Sequence, residues 1–200
     1  MVVTIRVLNL YAGIGGNRKL WTNCEVTAVE YDPTIAAIYA DLYPNDELVI
    51  GDAHQYLLDH YKEFDVIWSS PPCQSHSSFR HNIQVRFRGT PAVYPDMKLY
   101  QEILLLQHNV DIPWVVENVK PYYQPLIAPT SDLQRHYFWS NKPIEQFEFT
   151  GEKLRNSQIP DLETLHGFDL SKYKLPNKRQ VLRNCILPEL GLHVFKEITR

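Results

Sequence analysis

Short apolar runs alternate with amphipathic stretches along the first two-thirds of the chain. Ile5 to Leu10, Glu25 to Val29, Leu48 to Ile50, Val66 to Trp68 and Trp114 to Val116 read as strands. Thr34 to Leu42, Ala53 to His60 and Asp96 to His108 repeat their apolar positions at helical spacing. Asp32 and Pro33 supply a cap and a first-turn residue for the first of these helices. Strands alternating with helices predict βαβ units: an α/β fold of Rossmann-like type, a mostly parallel twisted sheet with helices on both faces. Beyond Pro121 the pattern changes. Tyr137-Phe138-Trp139 predicts another strand, Asn141 to Ser157 is polar and aperiodic, and the stretch from about Lys178 is partly helical, with Pro188 starting or kinking a turn.

Length and composition agree with one domain. The chain has 200 residues, of which 44% are hydrophobic, enough for a full core. No apolar run approaches the ~18 residues of a membrane helix, and no signal-like N-terminal pattern is seen. A cytoplasmic protein without membrane association is expected. Cys24, Cys73 and Cys185 are far apart, which argues against a disulfide framework or a zinc cluster, and no metal is expected. The net charge of -3 excludes a binder of nucleic acid by bulk charge. Locally the picture differs: Ser75 to Pro95 contains no Asp or Glu but holds His76, Arg80, His81, Arg86 and Arg88, as a loop facing phosphates would.

The candidate chemistry lies at strand ends. Leu8 to Leu10 runs into Tyr11-Ala12-Gly13-Ile14-Gly15-Gly16, which uses three of the chain's eight glycines where backbone could approach a ligand closely. A helix beginning after Gly16 would aim N–H groups at an anionic ligand. The next strand ends in Glu30, placed to accept ribose hydroxyls, and the third in Gly51-Asp52, where an acceptor could meet an adenine amino group. The turn is Gly-x-Gly-Gly and not Gly-x-Gly-x-x-Gly, which favours a nucleoside cofactor lacking pyrophosphate. After the fourth strand, Pro71-Pro72-Cys73-Gln74 sets a thiol on a stiff loop. Glu117 and Asn118 close the fifth.

These motifs, with Arg135-His136-Tyr137 and Asn184-Cys185-Ile186-Leu187-Pro188, stand in an order that resembles the DNA cytosine-5 methyltransferase family over almost the whole chain. The resemblance implies methyl transfer from S-adenosyl-L-methionine to C5 of cytosine in DNA through a Cys73–C6 adduct, leaving S-adenosyl-L-homocysteine. It implies Cys73, Glu117 and Arg135 as catalytic residues. It implies Tyr11, Ala12, Gly13, Gly15, Gly16, Glu30, Tyr31, Asp52, Ala53, Pro71, Asn184 and Cys185 at the cofactor, although Cys185 also suits simple packing. Gln74, Ser75, Arg80, His81, Arg86, Arg88 and Asn118 fall on the nucleic-acid side, Asn118 also bracing the Cys73 loop, and Gly89 is a pivot for the mobile loop Ser75 to Pro95. A prokaryotic or phage-like setting fits such a protein.

The chain departs from the family at Asn9, usually Asp; at Tyr11, usually Phe; at Tyr137, usually the second Arg of an Arg-x-Arg pair; and at Arg183, Cys185 and Ile186 in the usual Gly-Asn-Ala-Val. The resemblance divides it into a core over residues 1–140, a short insert over 141–160 where a target-recognition domain normally sits, and a C-terminal segment over 161–200 that returns to the core. Lys153, Arg155 and Asn156 are candidates for target reading, and Lys172, Lys174, Lys178, Arg179 and Arg183 suit phosphate contacts or a solvated face equally. A dimer or accessory partner would be another route to target recognition. The same chemistry on RNA or a cytosine nucleotide, and a catalytically weak nucleic-acid-binding protein on this scaffold, are the alternative readings.

Overall fold

A computed structural model describes residues 4–148 and 158–200. Its centre is a seven-stranded sheet of β1 (Ile5–Leu10), β2 (Cys24–Glu30), β3 (Glu47–Ile50), β4 (Val66–Ser69), β5 (Trp114–Val119), β6 (Ser131–Leu133) and β7 (His136–Ser140). The spatial order is β3-β2-β1-β4-β5-β7-β6; the first five strands are parallel and β7 runs antiparallel to both neighbours. The chain moves outward from β1 through β2 to β3, then restarts at β4 on the other side of β1. The crevice beyond the C-terminal ends of β1 and β4 is therefore the topological switch point, where open α/β sheets bind ligands.

Alternating side chains along each strand feed two cores. On one face Val7, Val26, Val66, Trp68, Val115 and Phe138 pack with Leu190, Val194, Phe195 and Ile198 of α6 (Pro188–Ile198). Each of those buried α6 side chains is worth ~1.5–3 kcal/mol. On the other face Leu8, Leu10, Ile67, Val116 and Trp139 meet Leu57 of α2 (Ala53–His60) and Leu99, Ile103 and Leu106 of α3 (Lys98–Asn109). Ile38 of α1 (Pro33–Leu42) packs with Leu162 of α4 (Ile159–His166) and Val181 and Leu182 of α5 (Lys178–Asn184). Asp32 caps α1 by accepting Thr34 N at 2.7 Å, and Asp52 caps α2 by accepting His54 N at 2.9 Å.

Three expectations need correction. No helix follows Gly16; residues 17–20 form turns. Only seven residues separate Gly16 from Cys24 at the start of β2, and Asn17 is held back by its side-chain bond to Asn9 Oδ1 at 2.8 Å. Second, Ser75 to Pro95 is not all loop, because Arg80–Phe87 winds into a wide π-type helix whose last turn is closed by Arg88 N to Ile83 O at 3.1 Å. Gly89, at φ +69°, follows it in the left-handed conformation. Third, His76 contributes no surface charge: it is fully buried, burial lowers its pKa, and Nδ1 lies 2.5 Å from Tyr123 Oη. Lys153, Arg155 and Asn156 lie outside the described residues.

Candidate active site

A cavity of about 560 Å³ opens at the switch point. Its walls come from the turn after β1, the ends of β2 and β3, the loop after β4, the end of β5, the start of β7 and the end of α5. Fifteen positions singled out in the sequence meet there: Tyr11, Ala12, Gly13, Gly16, Glu30, Tyr31, Asp52, Ala53, Pro71, Cys73, Gln74, Glu117, Arg135, Asn184 and Cys185.

On the side of β1 to β3 the turn is built for close approach. Gly13 has φ +56° and nothing within 4 Å of the place a Cβ would occupy. Glu30 accepts Gly13 N through Oε2 and Asp32 N through Oε1, both at 2.9 Å. Each oxygen thus uses one lone pair to fix the turn and keeps another for a ligand hydroxyl. Asp52 Oδ2 pairs with Lys98 Nζ at 3.2 Å, and Lys98 also lines the cavity.

On the side of β4, β5 and β7 lies the Cys73 thiol. The Cys73 loop turns back on itself, with His76 N and Ser77 N both donating to Cys73 O. Buried Asn118 ties β5 to this loop through Nδ2 to Pro71 O at 2.9 Å. Burial, then the nearby Glu117 charge, pushes the Cys73 thiol up to about 11, against the pull of Arg135. Burial raises Glu117 to about 7, against a hydrogen bond from Ser70 and the Arg135 charge. Arg135 is held by its own bonds to Arg183 O at 2.8 Å and Cys185 O at 3.3 Å, which bring the end of α5 to the wall. Burial pushes the Cys185 thiol up to about 12, with Arg135 opposing, which keeps it a neutral thiol in the wall.

Some singled-out residues stand elsewhere. Gly15 is buried outside the cavity lining: at φ +77°, an added Cβ would lie 2.3 Å from the Tyr43 ring. Its glycine answers to packing on α1. Ser75, Arg80, His81, Arg86, Arg88 and Asn118 do not line the cavity either. Ser75 joins the two ends of the loop by accepting Asp96 N at 2.9 Å, and His81 stacks on Tyr122 with centroids 4.0 Å apart. Arg86 and Arg88 are exposed on the wide helix and its end. Tyr137 does not line the cavity and packs on the sheet face covered by α2 and α3, beside Trp139.

Sequence reasoning missed Ser70, Lys98 and His136. His136 Nε2 lies 3.5 Å from Glu117 Oε1. Burial and the Arg135 and Lys120 charges hold its pKa well below the ordinary value, so the contact joins a neutral imidazole and a carboxyl group and is no ion pair. Its position inside Arg135-His136-Tyr137 was the one available signal. Among the described residues no group of three or more His, Cys, Asp or Glu could hold a metal, and no helix is long and apolar enough to cross a membrane.

The family model of the C-5 cytosine-specific DNA methylases matches residues 5–120, more than half of the chain. The chain belongs to this family. All the methylase motifs from Tyr11 to Asn118 fall inside the match, whereas Arg135, Asn184 and Cys185 follow it. Among solved structures it is similar to a DNMT2 variant of Spodoptera frugiperda, at 25% identity and TM-score 0.40, covering 58% of this chain and 36% of that one. A putative DNA modification methyltransferase encoded within a prophage of E. coli gives 20% identity and TM-score 0.39, over 60% and 33% of the two chains. The chain thus spans about a third of the length of these relatives. TM-scores below 0.5 leave the assignment resting on the family match. No curated protein matches the chain significantly.

The cavity suits the family's methyl donor. Gly13 leaves backbone open, each Glu30 oxygen keeps a lone pair that a hydroxyl could meet, and Tyr11 adds an aromatic ring to the lining.

Proposed function

We propose that this methylase transfers a methyl group from S-adenosylmethionine to C5 of cytosine in DNA, with Cys73 as the nucleophile. One observation carries the reading: Cys73, Glu117 and Arg135 share a single cavity with Tyr11, Gly13, Glu30 and Asp52. When bound, the donor supplies an electrophilic methyl group on a sulfonium. Tyr11, Gly13, Glu30 and Asp52 hold it through an aromatic face, open backbone and two carboxylates.

Cytosine C5 is a weak nucleophile until C6 is attacked. The Cys73 thiolate forms an S–C6 bond, and Glu117 delivers a proton to N3 as charge develops there. C5, now enamine-like, takes the methyl group, and the electron pair of the broken carbon–sulfur bond stays with the donor. Loss of the C5 proton to a base such as water, with release of the Glu117 proton from N3, expels Cys73 and restores the ring. The base must leave the duplex stack first, since a thiolate cannot reach C6 within paired DNA. Arg80, Arg86 and Arg88 contact phosphates on this reading. Residues 1–140 carry donor and catalysis, 141–160 replace a target-recognition domain, and 161–200 return to the core.

Incubation with labelled methyl donor and duplex DNA, single-stranded DNA, RNA or dCMP tests it, with Cys73→Ala as control. Label in DNA that Cys73→Ala abolishes is the expected result. Label in dCMP or RNA alone overturns the DNA reading, and equal labelling by Cys73→Ala overturns the mechanism.

A further inference from the structure

Behind the donor side of the cavity sits a carboxylate that the mechanism does not use. Glu102, on the sheet-facing side of α3, is 0% exposed. Its Oε1 accepts from Tyr11 Oη at 2.5 Å and meets His54 Nδ1 at 2.9 Å, while Oε2 accepts from Ser69 Oγ at 2.6 Å. Those three partners stand 91, 48 and 33 residues away in sequence, so the junction exists only in the fold. Each belongs to, or directly adjoins, a segment of the cavity wall: Tyr11 lines it, His54 follows Asp52 and Ala53, and Ser69 precedes Ser70 and Pro71.

Full burial of a carboxylate is costly unless its lone pairs are met, and an apolar side chain would fill α3's inner face without that cost. All three donors come from around the cavity. Tyr11 also has φ +56°, an unfavourable backbone conformation for a residue with a side chain, so contacts beyond its own local preference must hold it there. Burial and the Glu102 charge push the phenol far up from its ordinary value, which keeps it a donor to that carboxylate.

We propose that Glu102 is a positioning residue for the methyl donor: through the Tyr11 hydroxyl it fixes the aromatic face against which the donor's adenine lies. The inference rests on the reading of this cavity as the donor site. Glu102 touches neither donor nor cytosine, and it acts through Tyr11.

Calorimetric titration of S-adenosylhomocysteine into the wild-type chain, Tyr11→Phe, Glu102→Gln and the double variant tests it, with melting temperatures measured alongside. Tyr11→Phe and Glu102→Gln should each weaken binding about tenfold, as expected for a hydrogen bond to a charged group. The double variant should be no weaker than Glu102→Gln alone, because both changes break one bond. In turnover the loss should fall on KM for the donor and not on kcat. Wild-type affinity in Glu102→Gln, or effects that multiply to about a hundredfold, overturns the proposal. Should Glu102→Gln not fold, unchanged affinity in Tyr11→Phe overturns it equally. Failure of the wild-type chain itself to bind S-adenosylhomocysteine would instead sink the donor-site reading on which the proposal rests.

Discussion

Replacing Glu117 with Gln should change how activity depends on pH, and the direction follows from the two shifted groups facing each other across the cavity. With Cys73 at about 11 and Glu117 at about 7, the site between these values holds a thiol and a carboxylate. The reacting form, thiolate with carboxylic acid, has the same number of protons and differs only in where one sits. The gap places it up to about 10⁴-fold lower in population, or ~5.5 kcal/mol. Below about 7 the site carries one proton too many, so kcat/KM should rise tenfold per pH unit to about 7 and then stay level toward about 11. In Glu117→Gln no proton can be shared. The thiol, relieved of a neighbouring negative charge, titrates lower than in the wild type, and activity should climb past pH 7 until that lower value is reached. At neutral pH the variant should be slower by about 10²–10⁴-fold. Alkylation by iodoacetamide, followed at the Cys73 peptide by mass spectrometry from about pH 6 to about pH 12, reads the thiol without turnover. A wild-type midpoint at or below the ordinary ~8.5, or a higher midpoint in Glu117→Gln, would refute the reasoning.

Other substitutions probe the frame around that pair. Asn118→Ala strips Pro71 O of its buried donor and should cost ~1–3 kcal/mol in chemical denaturation, with slower turnover as the Cys73 loop loosens. Gly191→Ala would put a Cβ 2.5 Å from Asn17 O and 2.7 Å from Asn17 Cα, both backbone, so α6 must shift, and a loss of ~1–3 kcal/mol in a thermal melt is expected. Unaltered melting would mean that α6 is not seated as described. Arg86→Ala and Arg88→Ala should each weaken nucleic-acid binding across all sequences and lower the slope of log affinity against log salt by about one. Intact salt slopes would remove these arginines from the phosphate contacts.

The sheet was legible because its central strands are short, mostly apolar runs whose ends carry the motif residues; β1 has its expected bounds, and β2, β4 and β5 lie within three residues of theirs. The caps Asp32 and Asp52 were readable for the same local reason. What escaped depended on partners far along the chain. A helix after Gly16 looked reasonable from the glycine turn alone, but the bond from Asn17 to Asn9 and the short distance to β2 forbid it. Gly15 belongs to the same glycine cluster as Gly13, yet its neighbour is Tyr43 of the α1 C-terminus, whose hydroxyl donates to Gly15 O at 2.7 Å. β6 has only three residues, Ser-Asp-Leu, too few for alternation to show. Within the cavity, Cys73 and Glu117 announced themselves by motif. His136, also in the lining, and Glu102, buried behind it, did not, because their positions arise from burial and from contacts that only the fold creates.

The central claim is that Cys73 bonds to the base it serves. An oligonucleotide carrying 5-fluorocytosine lets attack at C6 and methyl transfer proceed but blocks loss of a proton from C5, so the S–C6 bond should persist. With methyl donor present, and the oligonucleotide offered as single strand and as duplex, the account predicts a denaturation-stable protein–DNA adduct that carries the methyl group and maps to the Cys73 peptide. Bound oligonucleotide with no adduct, or an adduct at any other residue, would contradict it.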